Sequence, residues 1–375
     1  MIRKMLMQMR FFQDVVEADG GHDAWSKLSD PGTHGAFGFI LSDVDLTGMS
    51  GIDLLKQCRK DPRLRFLPFI MVSASSQGAT VASALGEWGA NDFIVKPFSY
   101  ELLNQRIGAL LKSWGSPQES LFRQAQELQQ LGQVENALKL IEHWEVENRN
   151  MRAKWLNLKG ECLLQSGQTD NASTQFENAM ASSAIFISAY KNFAAVNEKL
   201  GRKDKAIKAL KHVEAISPTS EERTLLLARL LLQTGQTTEG KLRLQDLVKR
   251  TSGPEKESTL DNVGKLYLES GLFEEAEPIF AHKLLSNPTD LELSNRLAIA
   301  LRQQKKFDKA EQCYLEALAR HPDHPGIYHN LGILYMLMRA YDKAEDALRK
   351  AIAIDPGFKD AQGLLKAACE KRRNA

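Results

Sequence analysis

Two patterns of hydrophobic and polar positions divide this chain. In residues 1–115, short apolar runs at Asp14–Glu17, Phe37–Leu41, Leu67–Val72 and Asp92–Val95 alternate with amphipathic stretches near 22–29, 51–60, 78–88 and 99–112. Runs of that length predict strands, and the longer amphipathic stretches predict helices. Their alternation predicts βαβ units around a parallel sheet, with chemistry on the loops beyond the C-terminal ends of the strands. Met1-Ile2-Arg3-Lys4-Met5 reads as the opening of a helix, and Ser113–Pro117 as a short linker.

From about residue 118 the strand signal stops and a period takes over. Small residues recur at Ala137, Ala172, Ala206, Gly240, Ala276, Ala310 and Ala344, in steps of 34 to 36. Twelve positions before each stands another: Ala125, Gly160, Ala194, Ala228, Gly264, Ala298 and Gly332. Gly132, Gly167, Gly201, Gly235 and Gly271 fall where a left-handed residue would end the first helix of a pair. Pro218, Pro288, Pro322 and Pro356 fall where they would stop the second. Small side chains let paired helices approach, and Tyr267, Phe280, Tyr314 and Tyr335 fill the layer between. No pair buries its apolar face alone, so stacking must supply the core. This resembles the tetratricopeptide repeat over about 118–356, best in Asn330-Leu331-Gly332-Ile333-Leu334-Tyr335 followed by Ala344, Leu348, Ala351 and Pro356. Pairs one and four match least well, and 358–375 would form a solvating cap helix and tail.

Composition changes this picture little. Apolar residues make up 43% and charged residues 26% of the 375, as in a globular chain. The formal net charge is +2, and residues 1–115 carry twelve basic and twelve acidic side chains, so neither half has the excess of a nucleic-acid or anionic-membrane binder. No apolar run approaches the ~20 residues of a membrane span, and the first twenty residues lack a signal-peptide pattern. Cys58, Cys162, Cys313 and Cys369 are far apart, which argues against a zinc site or disulfide framework and fits a reducing compartment. Cytoplasm is the expected location.

The candidate chemistry lies in the first half. Phe39-Ile40-Leu41-Ser42 delivers Asp43 at the end of a strand, followed by a loop and Gly51 opening a helix. Phe69-Ile70-Met71-Val72 ends in Ser73, and Phe93-Ile94-Val95 ends in Lys96-Pro97. Carboxylate, hydroxyl and ammonium therefore converge on one rim of one sheet. An aspartate forms an acyl phosphate when neighbouring groups neutralise the incoming phosphoryl oxygens.

In that order and at those separations, the residues resemble the receiver domain of two-component response regulators. The resemblance implies that Asp43 is the phosphoacceptor, Ser73 the phosphate-sensing hydroxyl and Lys96 the partner of the phosphoryl group, beside a cis Pro97. It places Phe93 at the rotating aromatic position and makes the Asp45 carbonyl, with Asp43, a magnesium ligand. The implied fold is flavodoxin-like α/β over 1–112, then a linker at 113–117, then about seven tetratricopeptide repeats over 118–357 as an all-α superhelix. Implied partners are a sensor histidine kinase or phosphotransfer protein and a protein or peptide in the repeat groove.

The chain also departs from the receiver pattern. Receivers begin with a strand ending in two adjacent acidic residues that hold Mg2+, lying inside a sheet of order 2-1-3-4-5. Here Met1 opens directly in a helix, Asp14–Glu17 is left without a neighbour, and the magnesium site is incomplete. Thr47 also stands where a proline is common. The expectation is that the first strand is missing from the sequence as written; the other reading is a receiver that has given up phosphorylation. In the repeats, the groove positions by family analogy are Asn157, Glu161, Lys191, Lys265, Asn295, Arg302 and His329. Two functions follow: a phosphorylation-switched adaptor, or a constitutive scaffold with a degenerate docking receiver. Nothing in the repeats suggests an enzyme.

Overall fold

The computed structural model describes residues 2–9, 11–33, 36–74, 85, 89–142, 149–218, 220–253 and 255–373. The chain forms two compact units, Met1–Arg223 and Thr224–Ala375.

The first unit opens with α1 (Ile2–Gln8) and α2 (Gly21–Ser29), followed by β1 (Ile40–Asp43), α3 (Gly51–Lys60), β2 (Phe69–Ser73), β3 (Asp92–Val95) and α4 (Tyr100–Trp114). The strands pair in parallel in the order β1-β2-β3, with Asp43 opposite Val72 and Ser73 opposite Val95. Every residue of β2 is buried, which is why that strand reads as a continuous apolar run. Successive side chains leave a strand on opposite faces. Phe69, Met71 and Phe93 therefore join Leu28, Leu54 and Leu55 in one core layer, while Ile70 and Ile94 join Leu6, Leu103 and Ile107 in another. Ser50 and Ser99 cap α3 and α4, their hydroxyls accepting from the backbone N–H of Asp53 at 3.1 Å and Leu102 at 3.2 Å. The helix expected over 78–88 lies outside the described residues except for Leu85.

The strand expected at Asp14–Glu17 is not formed. Val15, Val16 and Glu17 instead border a trough of about 470 Å³, which Leu6, Leu28, Phe39, Ile40, Leu41 and Asp43 also line. Among the described residues β1 has a neighbour on one side only. With a trough in place of an adjacent strand, Asp14–Glu17 has no ladder to join, and the Glu17 carbonyl accepts from Lys27 Nζ at 2.8 Å.

The rest of this unit is helical. Gly115 and Ser116 alone separate α4 from α5 (Pro117–Gln130), and Ser116 caps α5 with Pro117 at its first turn. Then come α6 (Val134–Glu142), α7 (Arg149–Gln165), α8 (Thr169–Ser182), α9 (Ile187–Lys199) and α10 (Lys203–Ile216), as antiparallel pairs. The second unit begins within α11 (Glu221–Gln233) and continues through α12 (Thr237–Arg250), α13 (Glu255–Glu269), α14 (Phe273–Ser286), α15 (Leu291–Gln303), α16 (Phe307–Arg320), α17 (Pro325–Leu337) and α18 (Tyr341–Ile354). Its last helix, α19 (Lys359–Arg373), buries Ala361 and Ala368 against the preceding pair.

The recurring small residues are where helices touch. A Cβ on Gly160 would lie 2.5 Å from the Phe176 ring, and one on Gly332 would lie 2.6 Å from Leu348. The five turn glycines are left-handed, with φ between 72° and 79°. In the next two pairs Lys305 and Arg339 hold the same conformation at 62° and 59° without being glycine. Among the described residues no helix is long and apolar enough to cross a membrane.

Candidate functional site

Asp43 ends β1, Ser73 ends β2, and Lys96 follows β3 directly. The parallel register sets these ends side by side, and the Lys96 N–H donates to the Ser73 carbonyl at 2.7 Å. Lys96 Nζ forms an ion pair with Asp43 Oδ2. Both side chains stay about a third exposed, so the carboxylate remains within reach of solvent and solutes. Ser73 is buried, and the Lys96–Pro97 peptide bond is cis.

The loop after Asp43 is tied down on both sides. The Val44 N–H donates to the Val72 carbonyl at 2.8 Å, and the Gly51 N–H returns to the Val44 carbonyl at 3.0 Å. Gly51 lies so close under the strand end that a Cβ there would sit 1.8 Å from the Asp43 carbonyl oxygen. Gly48 supplies the loop's left-handed residue at φ 80°. Asp45 is exposed on this loop. Phe93 is not at the rim: it is 5% exposed and packed in the core layer with Leu54 and Leu55.

Glu17 and Asp19 line the same trough as Asp43 and Lys96, and sequence reasoning had not assigned them to the site. Their signal was two carboxylates one residue apart at the end of a predicted strand. For magnesium, the described residues set the Asp43 carboxylate, already engaged by Lys96, in one trough with Glu17 and Asp19, while Asp45 is not among the residues lining it. Among the described residues no group of three His, Cys, Asp or Glu side chains is placed to hold a metal. Mg2+ keeps most of its water shell and takes one or two carboxylates plus phosphate oxygens, so Asp43, with Glu17 or Asp19 across the trough, would be the groups to hold it; no step below runs through it.

The groove residues separate into two kinds. In the first unit, Asn157 is buried and donates to Glu161 Oε1 at 2.9 Å, while Asn192 donates to Asn157 Oδ1 and Glu161 Oε1, each at 3.0 Å. Burial pushes the Glu161 carboxyl above the usual range, against the opposing pull of the two amides. Lys191 is half-buried on α9. In the second unit, Lys265 pairs with Asp261 at 2.5 Å, and Asp261 also faces Arg296 at 3.0 Å and Lys283 at 3.4 Å. Burial would raise Asp261, but these cations hold it below its ordinary value. Asn295 accepts from Asn330 at 2.8 Å, and half-buried His329, lowered by burial, lies 4.9 Å from the Phe358 ring. Arg302 is buried, its Nη1 3.5 Å from the Asn330 carbonyl. Asn157, Glu161 and Arg302 thus belong to the array's internal polar network, whereas Lys265 stays 40% exposed.

Comparison with known proteins agrees with this arrangement. Residues 1–108 match the response regulator receiver domain, and residues 290–356 match the tetratricopeptide repeat. The chemotaxis protein CheY of Pseudomonas aeruginosa is 37% identical over 106 residues, covering 28% of this chain and 82% of that protein. CheY1 of Helicobacter pylori is 34% identical over 100 residues, covering 27% and 77%. Among solved structures, a tetratricopeptide repeat protein from Cytophaga hutchinsonii is 17% identical with a TM-score of 0.49, covering 65% of this chain and 99% of that one. The chain belongs to the response regulator receiver family. Its receiver is followed by tetratricopeptide repeats, making it a response regulator that carries a protein-interaction module.

Proposed function

We propose that this protein is a phosphorylation-controlled adaptor, in which a phosphoryl group on Asp43 governs capture of a partner by the repeats. The observation that carries this reading is the Asp43–Lys96 ion pair beside Ser73 on one rim of a parallel sheet. A sensor histidine kinase or phosphotransfer protein in the cytoplasm would present the phosphoryl group. An Asp43 carboxylate oxygen attacks phosphorus, the bond from phosphorus to the donor breaks, and an acyl phosphate forms. Lys96 then exchanges its carboxylate partner for a phosphoryl oxygen, where its charge offsets the added negative charge. Ser73 is the hydroxyl donor on the adjacent strand, and its shift toward the phosphoryl group leaves room for Phe93 to repack.

One observation favours the second reading, a constitutive scaffold with a docking receiver: Asp14–Glu17 forms no strand beside β1. The deciding experiment is intact mass after incubation with acetyl phosphate and magnesium. It is run on this chain and on a form with a short apolar strand ending in two aspartates joined before Met1. This chain should be modified poorly and the extended form well, with Asp43→Asn abolishing the product. No modification of either form selects the scaffold. For the groove, Lys265→Glu should weaken partner capture and leave the helical circular dichroism unchanged.

A further inference from the structure

At the opposite end of the sheet from Asp43, a cleft of about 320 Å³ opens between the receiver and the first two helix pairs. Its receiver wall carries Arg59 and Arg65, and its repeat wall carries Glu119 and Arg123 from α5 with Lys154 and Glu161 from α7. The charges do not balance. Arg59 spends its donors on the Leu67 and Gly89 carbonyls and on Asn91 Oδ1, at 2.9 to 3.1 Å, and burial brings its pKa down to about 10. Arg123 donates to the Trp114 and Glu119 carbonyls and lies 4.1 Å over the Trp114 ring. Arg65 lies 5.0 Å from the Phe66 ring centroid, and its Nε is buried with no hydrogen-bond partner. Among the described residues none of these guanidinium groups pairs with a carboxylate. Among the described residues Lys154 has one carboxylate, Glu119 at 3.7 Å, and lies 5.9 Å from the Phe122 ring centroid. Glu161 is committed to two amides, and burial raises its pKa.

A guanidinium half-withdrawn from water and satisfied only by carbonyls or ring faces retains its charge and its preference for a bidentate anion. We propose that this cleft binds an acidic peptide segment of a partner, with carboxylates on Arg65 and Arg123 and a third on Lys154. The inference rests on the repeats being the partner-binding half and names one end of their surface and its ligand chemistry. Shape favours a peptide over a compact anion. Phe122, Gln126 and Gln130 line the cleft along two turns of α5, and Lys154, Asn157 and Glu161 line it along α7. Eight residues of helix extend about 12 Å, the length of three or four extended peptide residues. The Phe66, Trp114 and Phe122 rings already face cations, so the chemistry left there for a ligand is chiefly ionic.

The test is fluorescence anisotropy of a labelled Asp/Glu octapeptide, and of its Asn/Gln counterpart, on the full chain at low salt. The acidic peptide should bind and the neutral one should not. Arg65→Gln should weaken binding about tenfold and Arg65→Gln with Arg123→Gln further, as expected for lost charge-assisted pairs. Circular dichroism and the urea midpoint confirm that each variant folds. Arg65→Gln is the decisive one, because among the described residues Arg65 has no hydrogen-bond or ion-pair partner, only the Phe66 ring. Three results overturn the proposal: equal binding of the neutral peptide, full affinity in Arg65→Gln, or displacement by inorganic phosphate at the same molar concentration as by unlabelled peptide. If Lys265→Glu abolishes binding while Arg65→Gln does not, the peptide sits elsewhere on the repeats; the cleft is then wrong and the partner-binding reading stands.

Discussion

Gly51→Ala would test whether the site is positioned by close contact between a strand end and a helix start. The new Cβ would lie 1.8 Å from the Asp43 carbonyl oxygen, whereas real Cβ atoms essentially never approach closer than 3.0 Å, so the two backbones must part by about 1.2 Å. Neither can yield alone. The strand is held to β2 by its ladder and the helix start by the Gly51 N–H to Val44 carbonyl bond. Overpacking of this kind costs about 1–3 kcal/mol, and a misplacement of about 1 Å at a reacting centre costs roughly 100-fold in rate. The assay pairs urea denaturation with the rate at which acetyl phosphate modifies Asp43 in the strand-extended form. Gly108→Ala is the control: it lies inside α4, its Cβ would meet the Phe11 ring at 3.5 Å, and it should stabilise by about 0.5–1 kcal/mol. A Gly51→Ala protein with the parental midpoint and rate would show that this contact does not position Asp43.

Lys305→Gly and Arg339→Gly should each raise the unfolding free energy from urea denaturation by about 0.5–1 kcal/mol. Left-handed backbone costs an ordinary residue roughly 1–2 kcal/mol, and part of that is returned as unfolded-state entropy. Glu161→Gln should leave the amide network acceptors in place and remove a pH dependence. Because the folded-state pKa of Glu161 is raised, its contribution is fully present below the unfolded value near 4.5 and is lost as pH rises through the folded value. Melting temperatures of the parent and Glu161→Gln should therefore converge at acid pH, with the variant higher at neutral pH; a constant offset would contradict this. Phe176→Ala should cost about 3–5 kcal/mol, because the ring is fully buried against Gly160. Hydrogen exchange should show the loss confined to α7, α8 and their immediate neighbours, as expected of a stacked array.

The repeats were legible because one steric demand recurs with each helix pair. Gly160, Gly264 and Gly332 stand where Phe176, Phe280 and Leu348 press in, so the sequence repeats what packing requires. Lys305 and Arg339 show the limit of that reading: the turn keeps its shape when the residue that favours it is gone. Asp43, Ser73 and Lys96 were legible because parallel strands expose their C-terminal ends together. Asp14–Glu17 misled because apolar residues mark strand propensity, while a strand exists only through a neighbour. Arg59 and Arg65 carried no signal at all. Arg59 near the end of α3 reads as an ordinary cation beside a helix C-terminus, and only the fold brings it opposite Arg123.

The trough beside β1 has a consequence for how the protein behaves at high concentration. Leu41 and Asp43 belong to a strand that, among the described residues, is laddered on one side, so part of its backbone bonding capacity faces a channel walled by Leu6, Leu28 and Val15. A half-used ladder over an apolar channel is a template for any extended hydrophobic stretch, including one from a partly unfolded copy of the same chain. Four residues of one strand are then the place where such association would begin, and a charged or proline residue on that edge is the usual safeguard.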